Sequence, residues 1–242
     1  MKKKILALLV ASAISAPQFS SLAQADTFTG NISVVSKYIL RGITNSPQDD
    51  NPALQGGFDY GFDNGLYLGY VGSSLGYGYP AGRSNGFEND LYGGYGASIG
   101  DFHYGVGVVH YVYVNVANSD GTEAYGKIGY GPVMLGAKTL LQDESWGNKG
   151  DTFWTLDYST PLPKGFKFGT TLGYYTYKNS GQYIASTVKS SAFRYADINL
   201  SHPIGNTGAD MGVHYIIGGE DRNGVHQKNA VFFNISYNFD VK

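Results

Sequence analysis

The 242-residue sequence contains no cysteine, which excludes a disulfide framework, thiol catalysis and thiolate metal sites. It also lacks any apolar run approaching the ~20 residues that a membrane-spanning helix needs. The longest such run, Ile5 to Ile14, sits directly behind Met1-Lys2-Lys3-Lys4 and ahead of Ala23-Gln24-Ala25. A positive start, a short apolar stretch and a small-x-small site together predict a cleaved signal peptide over 1–25, with the mature chain starting at Asp26. Charge is scarce and not basic. Three of the 17 basic residues lie in the leader, leaving 14 against 19 acidic, a formal charge of −5. Nucleic acid is therefore not an expected partner. No stretch keeps an i, i+3, i+4 apolar pattern, so amphipathic helices are not expected either.

What the chain does contain is glycine (35) and tyrosine (21), interleaved as in Leu91-Tyr92-Gly93-Gly94-Tyr95-Gly96. Disordered, glycine-rich chains lack such aromatic content. In strands, glycine marks bends and places where an aromatic neighbour covers the backbone. From residue 28 onward, segments of about ten residues alternate apolar and polar positions, the period of strands with two chemically different faces. The pattern predicts twelve strands, at 28–41, 53–62, 66–76, 87–99, 102–114, 122–130, 132–142, 151–160, 166–178, 192–201, 209–218 and 228–239. Connections alternate between long polar loops and short turns such as Asp63-Asn64-Gly65 and Gly100-Asp101. Long external loops and short periplasmic turns are the signature of an outer-membrane barrel. The expected fold is thus an all-β, transmembrane up-and-down antiparallel β-barrel over 26–242, a single domain.

The alternation assigns faces. In the last strand Val231, Phe233, Ile235, Tyr237 and Phe239 oppose Phe232, Asn234, Ser236 and Asn238. Tyr38, Phe62, Phe102, Tyr130, Phe166 and Tyr215 near strand ends read as interfacial aromatics. A charge facing lipid costs ~2–4 kcal/mol at the bilayer midplane, so the charged positions are assigned inward. That inward set is Lys37, Arg41, Asp59, Asp90, Lys127, Lys138, Asp157, Lys167, Asp197 and His214, with Glu88 beside it. Arg41 is expected to meet Glu88 or Asp90 across the lumen.

Sites for chemistry are sparse. Gly76-Tyr77-Gly78 and Gly94-Tyr95-Gly96 have no following helix and cannot cradle a phosphate as nucleotide loops do. His103, His110, His202, His214 and His226 form no HExxH or other close ligand set. A His-x-Ser pair for a barrel phospholipase is missing, and Ser201-His202 are adjacent and face opposite sides. An omptin-like rim protease would have to use Asp143-Glu144, Glu220-Asp221 and His226, acids that more commonly stay solvated or bind cations bridging lipopolysaccharide. Asn118 to Glu123 lacks the full spacing of a calcium loop and reads as a polar turn. Neither an enzyme nor a cofactor is expected.

A further resemblance lies in Gly30-Asn31-Ile32-Ser33, Ser36-Lys37-Tyr38 and Arg41-Gly42-Ile43. It continues through Pro52 to Tyr60 and Gly65 to Gly69, and ends in Glu88-Asn89-Asp90 with Tyr92, Gly94 and Tyr95. These segments resemble the TorF-type porin family (Gcw_chp) of proteobacterial envelope proteins. The resemblance implies an outer-membrane location and passive transport, and it brings no catalytic residue. One departure is the C-terminus, where Phe239 is followed by Asp240-Val241-Lys242, whereas many such barrels end in an aromatic read by the assembly machinery. The function expected is a porin-like channel for small polar solutes or ions. The alternative is a non-conducting structural or adhesive barrel working through its external loops. Expected partners are outer-membrane lipid and lipopolysaccharide, the barrel-assembly machinery and the solutes themselves, with oligomeric state left open.

Overall fold

The computed structural model describes residues 26–48, 51–81 and 84–241, so the signal peptide expected over 1–25 lies outside the described residues. Twelve antiparallel strands close into one barrel, each paired with its sequence neighbours and β1 with β12. They are β1 (Thr27–Val35), β2 (Ala53–Gly61), β3 (Leu66–Ser74), β4 (Phe87–Ile99), β5 (Phe102–Val114) and β6 (Gly121–Tyr130). The second half comprises β7 (Val133–Leu140), β8 (Thr152–Pro161), β9 (Lys167–Thr176), β10 (Ser191–Pro203), β11 (Ala209–Gly218) and β12 (Ala230–Asp240). Closure leaves no unpaired sheet edge, the condition for spanning a bilayer with strands.

Eleven strands fall where the apolar–polar alternation places them, within two or three residues at each end. The first is the exception: β1 stops at Val35 rather than 41. Short turns at 62–65, 100–101, 131–132, 162–166 and 204–208 lie at one end with both termini, and six longer loops lie at the other. These loops are L1 (36–52), L2 (75–86), L3 (115–120), L4 (141–151), L5 (177–190) and L6 (219–229).

The packing is inverted relative to a soluble protein. Leu91, Val106, Val108, Ile128, Phe233 and Ile235 are more than half exposed on the outer wall, while Glu88, Asp90, Glu123, Asp197, His214 and Asn234 are buried inside. Burying this many polar groups is tolerable because most are hydrogen-bonded to one another. Glycine makes room for the inner aromatics. A Cβ on Gly107 would collide with the Tyr125 ring, which lies across β5 and places its hydroxyl 2.6 Å from that of Tyr67.

Candidate functional site

L1 does not continue β1 up the wall. Ser36 leaves the sheet through paired bonds with Phe233 on β12, its N–H donating to the Phe233 carbonyl (2.8 Å) and its hydroxyl accepting from the Phe233 N–H (2.9 Å). The chain then turns into the barrel. Ile43 N–H donates to the Leu40 carbonyl at 3.0 Å, with Arg41 (φ 50°) and Gly42 (φ 70°) as the two central residues. Two consecutive positive φ angles belong to a primed hairpin turn, in which glycine is favoured at the second position. Gly42 is also required sterically, since any Cβ there would enter the Tyr195 ring. L1 is therefore an inward hairpin with Arg41 at its tip, and this is why the first strand stops short of residue 41.

At the tip, the Arg41 guanidinium makes a two-pronged ion pair with Glu123 on β6, at 2.8 and 2.6 Å. Its Nη1 also donates to the Tyr175 hydroxyl (2.7 Å) and its Nη2 to that of Tyr111 (3.2 Å), while Tyr111 donates to Glu123 at 2.7 Å. The cation lies 5.0 Å from the centre of the Phe153 ring and 5.7 Å from that of Trp146. A planar fork matched to a carboxylate and backed by aromatic faces is an arginine-specific arrangement. Behind the tip, Ile39 packs with Phe153, Tyr195, Ile216 and Phe232. Tyr38 packs with Val35, Ala53 and Leu75. Thr44 fastens the returning arm to L6, donating its N–H to Gln227 Oε1 (3.1 Å) and its hydroxyl to the Lys228 carbonyl (2.6 Å).

Two sequence expectations are corrected here. Arg41 pairs with Glu123, not with Glu88 or Asp90, because it reaches its partner from an inward loop and not from the wall. Tyr38 is not an interfacial aromatic but buried in the barrel, donating to Glu88. Glu88 accepts a second phenol, Tyr113, at 2.6 Å. Lys37 lies on L1, half-buried, at the start of the hairpin.

The other charged residues assigned inward occupy separate stations along the wall. Asp59 accepts from the Tyr92 hydroxyl (2.5 Å) and Asp157 from Thr171 (2.6 Å). Asp197 pairs with His214 Nδ1 at 2.9 Å, and His214 stacks on Phe232 with ring centres 4.2 Å apart. Lys127, Lys138 and Lys167 lie half-buried on β6, β7 and β9. Asp90 is fully buried on β4, and neither carboxylate oxygen has a hydrogen-bond partner among the described residues. Glu123, Tyr111, Tyr175 and Arg194 are further interior polar residues outside the charged set assigned inward from the sequence. Glu123 was legible in principle, since it shares a face with Tyr125 and Lys127; reading 118–123 as a turn hid it.

The long loops are tied together. Asp151 of L4 accepts the Asn148 and Lys178 N–H groups (2.8 and 2.7 Å) and pairs with Arg222 of L6, whose guanidinium also lies 4.9 Å from the Tyr177 ring centre. Asp143 accepts the backbone N–H groups of Lys149 (2.7 Å) and, across in L5, Gln182 (2.9 Å). These two bonds hold its carboxyl below the ordinary aspartate value of 3.8, because they favour the charged form. A lowered folded-state value means the tie is intact above the unfolded value and is lost as pH falls through the folded one. Hydrogen exchange should thus show the Lys149 and Gln182 amides losing protection together as pH drops below about 3.8. If protection is independent of acid, the L4–L5 tie does not run through Asp143.

Solved structures share this fold. A KdgM porin superposes with a TM-score of 0.56 at 9% identity, covering 88% of this chain and 99% of that one. The COG4313 outer membrane channel from Pseudomonas putida F1 gives 0.56 at 8% identity, covering 93% and 99%. At such identities the likeness establishes a shared barrel architecture. No curated protein matches the sequence. A bacterial family described as proteins of unknown function does, over residues 21–239, nearly the whole length of the chain, which therefore belongs to the Gcw_chp family.

Proposed function

We propose that the protein is an outer-membrane channel for passive diffusion of small polar solutes or ions, with the L1 hairpin as its constriction. The observation that carries this reading is the inverted wall. Apolar side chains cover the outside while hydrogen-bonded charged and polar groups lie inside, an arrangement that is economical when lipid surrounds the barrel. Lys37, Arg41, Asp59, Glu88, Asp90, Lys127, Lys138, Asp157, Lys167, Asp197 and His214 would line the path, joined by Glu123. Twelve strands enclose more than the filled interior of eight and less than the channel of sixteen, so an inserted loop suffices to narrow the pore. Export by the signal peptide, insertion by the barrel-assembly machinery and contact with lipid and lipopolysaccharide belong to the same reading. Solutes would move down their gradient without cofactor or energy source.

A second reading has one observation in its favour: Ile39 and its aromatic neighbours fill the external half of the barrel around L1, as a plug would. Single-channel recording of the chain from Asp26 onward, refolded into a planar bilayer, separates the two. Discrete conductance steps are the expected result. Silence from protein shown to be folded would favour a non-conducting barrel acting through its external loops.

A further inference from the structure

One arginine inside the barrel is left without an anion. Arg194 lies on β10 where the pairing with β9 slips: Phe193 is opposite Tyr174, Tyr195 is opposite Gly173, and Arg194 is opposite no residue of β9. Such a bulge re-aims the side chain it carries. L6 fixes it from behind, the Gly219 N–H donating to the Arg194 carbonyl at 3.0 Å and the Glu220 N–H to that of Phe193 at 2.9 Å. The bulge follows the Ala192–Tyr175 pair, and the Arg194 charge bears on the Tyr175 and Tyr177 phenols. Only 5% of Arg194 is exposed. Its guanidinium nevertheless makes no ion pair or hydrogen bond among the described residues.

The acids of β10, of L6 and of the tie between L4 and L6 are already engaged. Asp197 pairs with His214, Asp151 with Arg222 and Glu220 with Lys189. Asp221 accepts the Asn223 and Val225 N–H groups of its own turn at 2.8 and 2.9 Å. A guanidinium cannot be deprotonated in a protein, so it does not escape the cost of burial by losing its charge, and an anion has to offset it. Of its three nitrogens, only Nη1 is both closed to solvent and without a partner, which leaves the edge carrying Nε and Nη2 in contact with the lumen. Tyr175 and Tyr177 beside it are half-buried and not sealed, so solvent reaches this part of the interior. Two parallel N–H donors on one edge match the two oxygens of a carboxylate.

We propose that Arg194 anchors a carboxylate-binding site in the external half of the lumen, and that the solutes this barrel recognises include small organic carboxylates. This inference rests on the channel reading above for the passage of the solute, and not for its binding. Binding is therefore read without conduction, as the thermal midpoint of the folded form in detergent gels. Potassium acetate replaces potassium chloride at constant ionic strength, for wild type, Arg194→Gln and Arg194→Lys. A ligand that binds only the folded barrel raises the midpoint by mass action. Acetate at about ten times its dissociation constant should raise the wild-type midpoint by about 4 °C more than that of Arg194→Gln. In chloride Arg194→Gln should melt with the wild type, because it gives up no ion pair. Arg194→Lys keeps the charge without the fork and should retain a smaller part of the acetate shift. No shift in the wild type, or an equal one in Arg194→Gln, overturns the site. Planar-bilayer recording of the same protein keeps the two readings apart. Conductance without the acetate shift leaves the channel standing and removes the site, whereas the shift in folded protein that never conducts leaves the site and removes the channel.

Discussion

Replacing Arg41 with alanine should both destabilise the barrel and enlarge its conductance. The substitution removes the guanidinium from a pocket in which the side chains of Arg41 and Glu123 are only 8% and 2% exposed. It leaves the Glu123 carboxylate buried without the guanidinium that forms its two-pronged pair. Breaking a buried pair from one side costs about 3–5 kcal/mol. The turn at the tip is strained in both forms, since Arg41 adopts a left-handed backbone conformation, disfavoured for any residue with a Cβ by ~1–2 kcal/mol, and the ion pair is what holds it there. Without the ion pair, little remains to hold the hairpin tip against Tyr111, Tyr175 and Phe153. The thermal midpoint of the folded form in detergent gels should fall, and single-channel steps should become larger and noisier. A double variant, Arg41→Met with Glu123→Leu, replaces the pair by apolar groups of similar size and should recover most of the stability, since such swaps are often neutral or better. Unchanged steps and an unchanged midpoint in Arg41→Ala would mean that L1 does not constrict the pore.

The second large effect concerns the outer wall. Val108 is 52% exposed in the middle of β5, between inward-facing Gly107 and buried Val109. If lipid covers that face, Val108→Arg should cost ~2–4 kcal/mol near the midplane. Were the wall in water, the same change would stay within about 0.5 kcal/mol. Denaturant unfolding from lipid vesicles measures the difference directly, with Val108→Leu as the uncharged, apolar control. A shift no larger than that of the leucine variant would place the β5 face away from hydrocarbon. The result does not depend on conduction, so it tests the membrane assignment by itself.

The architecture was legible because its rules are local. Alternation with period two makes the faces of β12 readable from Val231 to Phe239 without any knowledge of β1 or β11. Turn chemistry at Asn64-Gly65 and Gly100-Asp101 locates the short end of the barrel in the same way. The family resemblance, dense around Ser36 to Ile43 and Pro52 to Tyr60, pointed to the group whose profile matches the chain. Where the reading failed, a local rule met a long-range contact. The first strand, expected through Arg41, ends at Val35, and the Arg41-Gly42 dipeptide supplies the turn that carries the chain inward.

The sequence by itself determined the strand count, the two faces of the wall and the alternation of loop lengths, because each follows from backbone geometry and solvation within about ten residues. Only the tertiary structure decided that L1 folds inward, that Arg41 chooses Glu123 over Glu88, and that Asp90 has no hydrogen-bond partner among the described residues. Those outcomes depend on closure, which brings residues 82 positions apart within hydrogen-bonding distance. Several carboxylates were available to one guanidinium, and their charges are equivalent in the sequence. The direction of the hairpin and the Tyr195 ring against Gly42 settled which one it reached.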